Sequence, residues 1–192
     1  MALLTKRRTL AAIFLLTAVV ALGYGANRYQ LRIRAAAWHV LHGDSITVAG
    51  YRIAVPSHWF VEELAADDVQ LWNARTGESI WLRSFPKPAN FTLAFWSDLV
   101  QKRLNDPKNP IVARREVLVA DESLVCFERD FTVVLPPTVL ATPSERTIHL
   151  PSVECTSAGP LDVRFFGGMH PAPRHDYSEF YSILGSVQKT SR

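Results

Sequence analysis

The sequence predicts an α+β protein in which one N-terminal transmembrane helix is followed by an antiparallel sheet packed with two helices. Three observations carry this expectation. Residues 9–26 contain no charge and, as a helix, would rise about 27 Å, near the hydrocarbon thickness of a bilayer. From Ser45 onward, apolar residues recur at period two in short runs separated by turn residues. Two later segments, opening at Asn90 and at Asp176, follow the helical period instead.

Residues 1–8 form a cytoplasmic tail carrying Lys6, Arg7 and Arg8. The apolar run exceeds the roughly 7–15 residues of a cleaved signal peptide, and Ala21-Leu22-Gly23 is only a passable cleavage site. Residues 9–26 are therefore expected to be a retained signal anchor. The absence of a cysteine after the run argues against a bacterial lipoprotein. Arg28, Arg32 and Arg34 balance the three basic residues in front, so the positive-inside rule leaves orientation open. The short leading tail and the cysteine usage favour an N-terminus in the cytoplasm. That places the chain in a bacterial inner membrane, with its domain in the periplasm or outside.

Residues 43–192 suffice for one extracytoplasmic domain with its own core. The first 42 residues hold six basic residues and no acid, whereas the remainder sets 15 lysines and arginines against all 18 acids, a net of −3. The alkaline character thus belongs to the membrane-flanking segment. A nucleic-acid partner, which would require a basic domain face, is not expected.

Taken in order, residues 27–42 extend the anchor as a juxtamembrane helix. Tyr29, Ile33, Ala36 and Val40 line up on one stripe, with Arg28 and Arg32 beside it to meet anionic lipid headgroups. A plain solvated stalk is the alternative. His42-Gly43-Asp44 stops the helix. Ile46 and Val48, then Tyr51, Ile53 and Val55, alternate about Ala49-Gly50 as a hairpin, which Trp59-Phe60-Val61 continues. Segments 69–73 and 79–85 flank Arg75-Thr76-Gly77-Glu78 as a second hairpin, ended by Pro86 and Pro88. Asn90 caps a helix reaching about Asn105, with Phe91, Phe95, Leu99 and the flanking Leu93, Trp96, Val100 and Leu104 as its packing arc. Strands follow over 111–119, 123–134, 146–156 and 161–167, with Asp121-Glu122 as one short turn. The connection 135–145, with Pro136, Pro137 and Pro143, is expected to run extended over the surface as a docking segment or a solvated loop. A last helix from Tyr177 to about Gln188 opens with Asp176 and Glu179 in capping-box spacing and buries Tyr177, Phe180, Leu184 and Val187.

This element order, together with Gly50-Tyr51-Arg52-Ile53-Ala54-Val55-Pro56-Ser57-His58-Trp59, resembles the PsbP-like family of sheet-and-helix sandwiches. In that family an alternating strand with an aromatic residue often leads into proline, two residues and tryptophan. The resemblance implies a sandwich fold and a mostly non-catalytic role, and it carries over no family binding residue.

The sharpest chemical pair is Cys126 and Cys155, each in an expected strand of the second half. Adjacent antiparallel strands bring Cα atoms within disulfide range, so a bridge is expected, two unpaired thiols being the alternative. No cysteine or histidine spacing matches a structural zinc site, and no cofactor is expected. His170, His175 and Asp176 could hold a metal, but two loop histidines beside a helix cap is the simpler account. Ser57 and His58, as neighbours on an extended chain, would point to opposite faces and make no nucleophile–base pair. Glu62-Glu63 and Asp67-Asp68 read as a strand edge and a solvated turn. No catalytic or nucleotide motif is present. The expected function is a membrane-anchored, non-catalytic envelope module that binds a protein partner or envelope component. The alternative is a membrane-tethered hydrolase whose His58, His149 or His170 meets a carboxylate only through the fold.

Overall fold

The computed structural model describes residues 29–103, 107, 109–135, 146–170, 172–173 and 176–190. The expected anchor at 9–26, Arg28, the proline-rich connection over 136–145 and His175 lie outside these residues. Among the described residues, no helix is long and apolar enough to cross a membrane.

A helix over residues 29–42, α1, precedes the first hairpin. That hairpin is β1 (Ser45–Val48) with β2 (Tyr51–Ala54), and Val48 and Tyr51 are the last pair before the turn. Ala49 and Gly50 both take positive φ, 49° and 83°, the mirror-image turn whose twist suits hairpin strands. Pro56 and the Ser57-His58 turn then redirect the chain, with Trp59 N–H donating to the Pro56 carbonyl at 2.8 Å. Trp59-Phe60-Val61 therefore does not continue the first hairpin; it opens β3 (Trp59–Ala65) in a different sheet.

β3 pairs with β4 (Asp68–Asn73), and β4 pairs with β5 (Ser79–Ser84) as the expected hairpin. After helix α2 (Leu93–Arg103) come β6 (Ile111–Val119), β7 (Glu122–Leu135), β8 (Arg146–Ser157) and β9 (Leu161–Phe166). The sheet order is β3-β4-β5-β9-β8-β7-β6, antiparallel throughout. The β6–β7 turn is Ala120-Asp121, both at positive φ, rather than Asp121-Glu122, because Glu122 already pairs with Val119.

Helix α3 (Ser178–Gly185) is shorter than its periodicity implied. Residues Gln188–Lys189 leave the helix to form β10, which pairs with β2 and completes a three-stranded sheet, β1-β2-β10. The free edge of β2 offers those backbone groups partners that a further helical turn could not.

The main core lies between one face of the large sheet and a layer made of α3 and the small sheet. Trp59, Leu71, Ile80, Leu124, Val163 and Phe165 meet Ile53, Phe180, Ile183 and Leu184 there. Cys126 and Cys155 face each other in the β7–β8 register within this core and form a disulfide. The strand residues of opposite parity carry the other two helices. Phe60 packs with Ala35, Ala74, Trp38 and Trp72 under α1, while Val125 and Phe127 pack with Val100, Leu93 and Trp96 of α2. The two expected packing helices thus sit on opposite faces of the large sheet.

Helix α2 departs from its expected start and face. A turn bond from Phe91 N–H to the Pro88 carbonyl precedes it, and Thr92 Oγ1, not Asn90, accepts the Phe95 N–H at 3.1 Å. The sheet presents only a narrow Val125–Phe127 strip, so the helix buries Leu93, Trp96 and Val100 and leaves Phe95 64% exposed.

Candidate functional site

Helix α1 is the element that creates a cleft. Its inner face is Ala35, Trp38 and His39; of its apolar stripe, Tyr29, Ile33 and Val40 face outward, while Ala36 borders the cleft. His39 fastens it: Nδ1 lies 2.9 Å from the Gly43 carbonyl and Nε2 lies 3.0 Å from both the Pro56 and Trp59 carbonyls. Whichever ring nitrogen carries the proton meets an oxygen acceptor. Arg34 adds an ion pair to Glu62 at 3.3 Å and lies over the Phe60 ring, and Glu62 also accepts from Trp72 Nε1 at 3.1 Å. The helix is thus a docked part of the domain rather than a free stalk.

Ala35 and Ala36 are too small to fill the space between α1 and the β4–β5 turn, and an open cleft of about 430 Å³ remains. Arg32 borders it on the helix side, Ser57 and His58 at its floor, and Ala74 and Arg75 on the turn. The turn backbone is held by Asn73, whose Oδ1 accepts the N–H groups of Arg75 at 2.9 Å and Thr76 at 3.2 Å. Ser57 and His58 occupy a turn instead of an extended strand, so both line the same cleft. No hydrogen bond joins the two side chains among the described residues.

Glu179 lies behind His58. Its Oε1 is 2.5 Å from His58 Nε2 and accepts from Trp59 Nε1 at 3.0 Å, and its Oε2 accepts from Asn73 Nδ2 at 3.4 Å. Glu179 was expected to close a capping box on its own helix; instead it ties α3 to β3 and to the end of β4. The helix start is served by Asp176, whose Oδ1 accepts the Ser178 N–H at 3.0 Å.

A second polar group lies along β7, where Glu128, Arg129 and Asp130 are all buried. Glu128 Oε1 accepts from Arg115 Nε at 2.5 Å and from the Tyr181 hydroxyl at 2.8 Å. Burial first, and the Glu128 charge after it, push the Tyr177 and Tyr181 phenols well above their ordinary range. Burial lowers the Arg129 guanidinium, against the opposing pull of Glu154. Asp130 Oδ2 pairs with His149 Nδ1 at 2.8 Å, and His149 exchanges two backbone hydrogen bonds with His170. Of this group only His149 was singled out from the sequence, although three consecutive charges in the middle of the long strand β7 were a visible signal of the rest.

The fold therefore gives two of the three candidate histidines a carboxylate: His58 with Glu179, and His149 with Asp130. Among the described residues, no serine, threonine or cysteine hydrogen-bonds either histidine. His170 meets His149 through the backbone only. No cluster of three metal-ligating side chains occurs among the described residues. Of the paired carboxylates, Asp68 binds Arg83 at 2.8 Å and Glu62 holds α1, so both serve architecture.

No family model matches the chain, and no curated protein matches it. Among solved structures it is similar to the solution structure of cyanobacterial PsbP (CyanoP) from Synechocystis sp. PCC 6803. That similarity has 15% sequence identity and a TM-score of 0.46, and covers 76% of this chain and 91% of that one.

Proposed function

We propose that the chain is a membrane-anchored, non-catalytic accessory module of a bacterial envelope, tethered by residues 9–26, whose exported domain binds a protein partner or another envelope component. The observation that carries this is the docking of α1. The helix that follows the apolar run directly is fastened to the domain by His39, Trp38 and Arg34. Its outward stripe stays bare, with Ile33 58% and Val40 86% exposed. With α1 fastened to it, the domain would present one set surface to neighbours in the same membrane. Alkaline phosphatase fused after Arg192 of the full chain should be active in bacteria, and photo-crosslinkers at exposed Leu118 or Met169 should trap a defined neighbour. An inactive fusion, or no adduct from any exposed position, would overturn the proposal.

A hydrolase is the second reading, favoured by His58 and its carboxylate standing in a cleft beside Ser57. It requires Ser57 Oγ to reach His58 as nucleophile to base. Covalent labelling of Ser57 by a fluorophosphonate, lost in His58→Ala, would establish it; an unlabelled Ser57 leaves the accessory role.

A further inference from the structure

We propose that the cleft between α1 and the β4–β5 turn binds the phosphate of an anionic phospholipid headgroup, with Arg32 and Arg75 as its cationic walls and Ser57 and His58 as its polar floor. The inference rests on the anchored role proposed above and names the ligand of its membrane-facing side.

Several arginines already have counter-ions. Arg34, Arg83, Arg114, Arg115 and Arg164 each hold a carboxylate within the protein. Among the described residues, Arg32 and Arg75 hold none, and no carboxylate lines the cleft. Two like charges border one concavity from opposite sides, on backbones that are both fixed. Arg32 stands on the docked helix, its guanidinium 5.5 Å from the centre of the Tyr29 ring. Arg75 stands on the turn pinned by Asn73. A concave site walled by one sign of charge concentrates the opposite ion, and a guanidinium fork matches phosphate oxygens in pairs. His58 is held in orientation by Glu179, so the floor is ordered before any ligand enters.

A lipid rather than a free anion is indicated by what lies beside the cleft. The outward stripe of α1 exposes Tyr29, Ile33 and Val40, with Leu41 on its flank. A helix with such a stripe lies with its apolar face at the boundary of headgroups and acyl chains. Arg32 sits on the flank of the same helix, between that stripe and the domain, which sets the cleft at headgroup level. The choline of a zwitterionic lipid would press a third cation against the two arginines, so the cleft selects lipids of net negative charge.

The test uses the full chain in detergent micelles, titrated separately with phosphatidylglycerol, phosphatidylcholine and inorganic phosphate, with bound ligand counted by native mass spectrometry. Phosphatidylglycerol should be retained in preference to phosphatidylcholine. Arg75→Gln and Arg32→Gln should each lower that retention about tenfold, the loss of a charge-assisted hydrogen bond. Arg146→Gln removes the same charge from an exposed position outside the cleft and should leave retention unchanged. Equal loss in Arg146→Gln would reduce the effect to general charge attraction and overturn the site. So would unaltered retention in Arg75→Gln. Arg75-dependent binding of inorganic phosphate without a lipid preference would assign the cleft to a soluble phosphate and overturn the lipid. Release of the full chain from cell membranes by alkaline carbonate would remove the anchored role and the lipid assignment together. A firmly embedded chain whose Arg75→Gln variant retains lipid normally would overturn the lipid site alone.

Discussion

Replacing Glu179 by alanine removes a side chain that joins α3 to the start of β3 and the end of β4. Three donors converge on its carboxylate, and they differ in what they lose. Trp59 is fully buried, so its indole N–H would lose its carboxylate acceptor, at a cost of about 1–3 kcal/mol. The Glu179 side chain is 42% exposed, so solvent can replace part of what His58 and Asn73 lose, and those two together add about 1 kcal/mol. The total is about 2–4 kcal/mol, which lowers Tm by roughly 5–15 °C in a domain of this size. Thermal unfolding of the full chain in detergent, followed by near-ultraviolet circular dichroism, measures it. Glu179→Gln keeps one oxygen acceptor for Trp59 and should recover about half the loss. A double-mutant cycle with Trp59→Phe, which deletes the donor, should give a coupling of about 1–3 kcal/mol. A coupling near zero would refute the argument, because the indole bond would then contribute nothing beyond packing.

Reduction of Cys126–Cys155 opens a covalent loop with a sequence separation of 29; the chain-entropy model gives about 3–4 kcal/mol, or a Tm lower by about 10 °C, and an unchanged Tm with both thiols freshly labelled would count against it. Burial raises the Glu122 carboxyl, but the Tyr51 hydroxyl and Lys189 outweigh burial and bring it below its ordinary value. Its contribution is therefore present above the unfolded value of about 4.3 and lost as pH falls through the depressed folded value. The urea midpoints of wild type and Glu122→Gln should converge on acidification, and a constant gap would contradict this. Burial and then Glu122 push Tyr51 up to about 12, so its contribution is full below the ordinary phenol value near 10 and is lost as pH rises through about 12. An absorbance titration should show it ionising that late, and a normal Tyr51 titration would contradict the buried bond. Gly167→Ala should cost about 1–3 kcal/mol, because a Cβ there would meet the Pro151 ring and stand 2.8 Å from its carbonyl; retained stability in a urea melt would show that β8 can yield.

Much of the strand framework was legible because it depends on local periodicity. Both expected hairpins, the extents of β6 and β9 within a residue, and the opposed cysteines followed from alternation and turn residues. The stretch from Gly50 to Trp59 proved to be the link between the two sheets, a role invisible to a count of alternating residues. The α2 face was misjudged for a related reason. A helix with apolar residues over a wide arc can bury several different strips, and only the width of the sheet beneath it selects Leu93, Trp96 and Val100.

The candidate site was legible only as isolated residues, His58 and Arg32, and its geometry explains why the rest was not. His58 and Glu179 are 121 residues apart and meet only because α3 packs across the inner face of the large sheet. Arg32 and Arg75 border one cleft only because His39 fastens α1 along the β3 edge. By itself, the sequence determined most of the strand and helix segments, which cysteines oppose, and where charge is absent, since these follow from periods of a few residues and from composition. The tertiary structure alone decided which face each helix buries, that residues 188–189 complete a second sheet, and which charges are left without a counter-ion. Those outcomes depend on the distances between elements, and packing sets those distances.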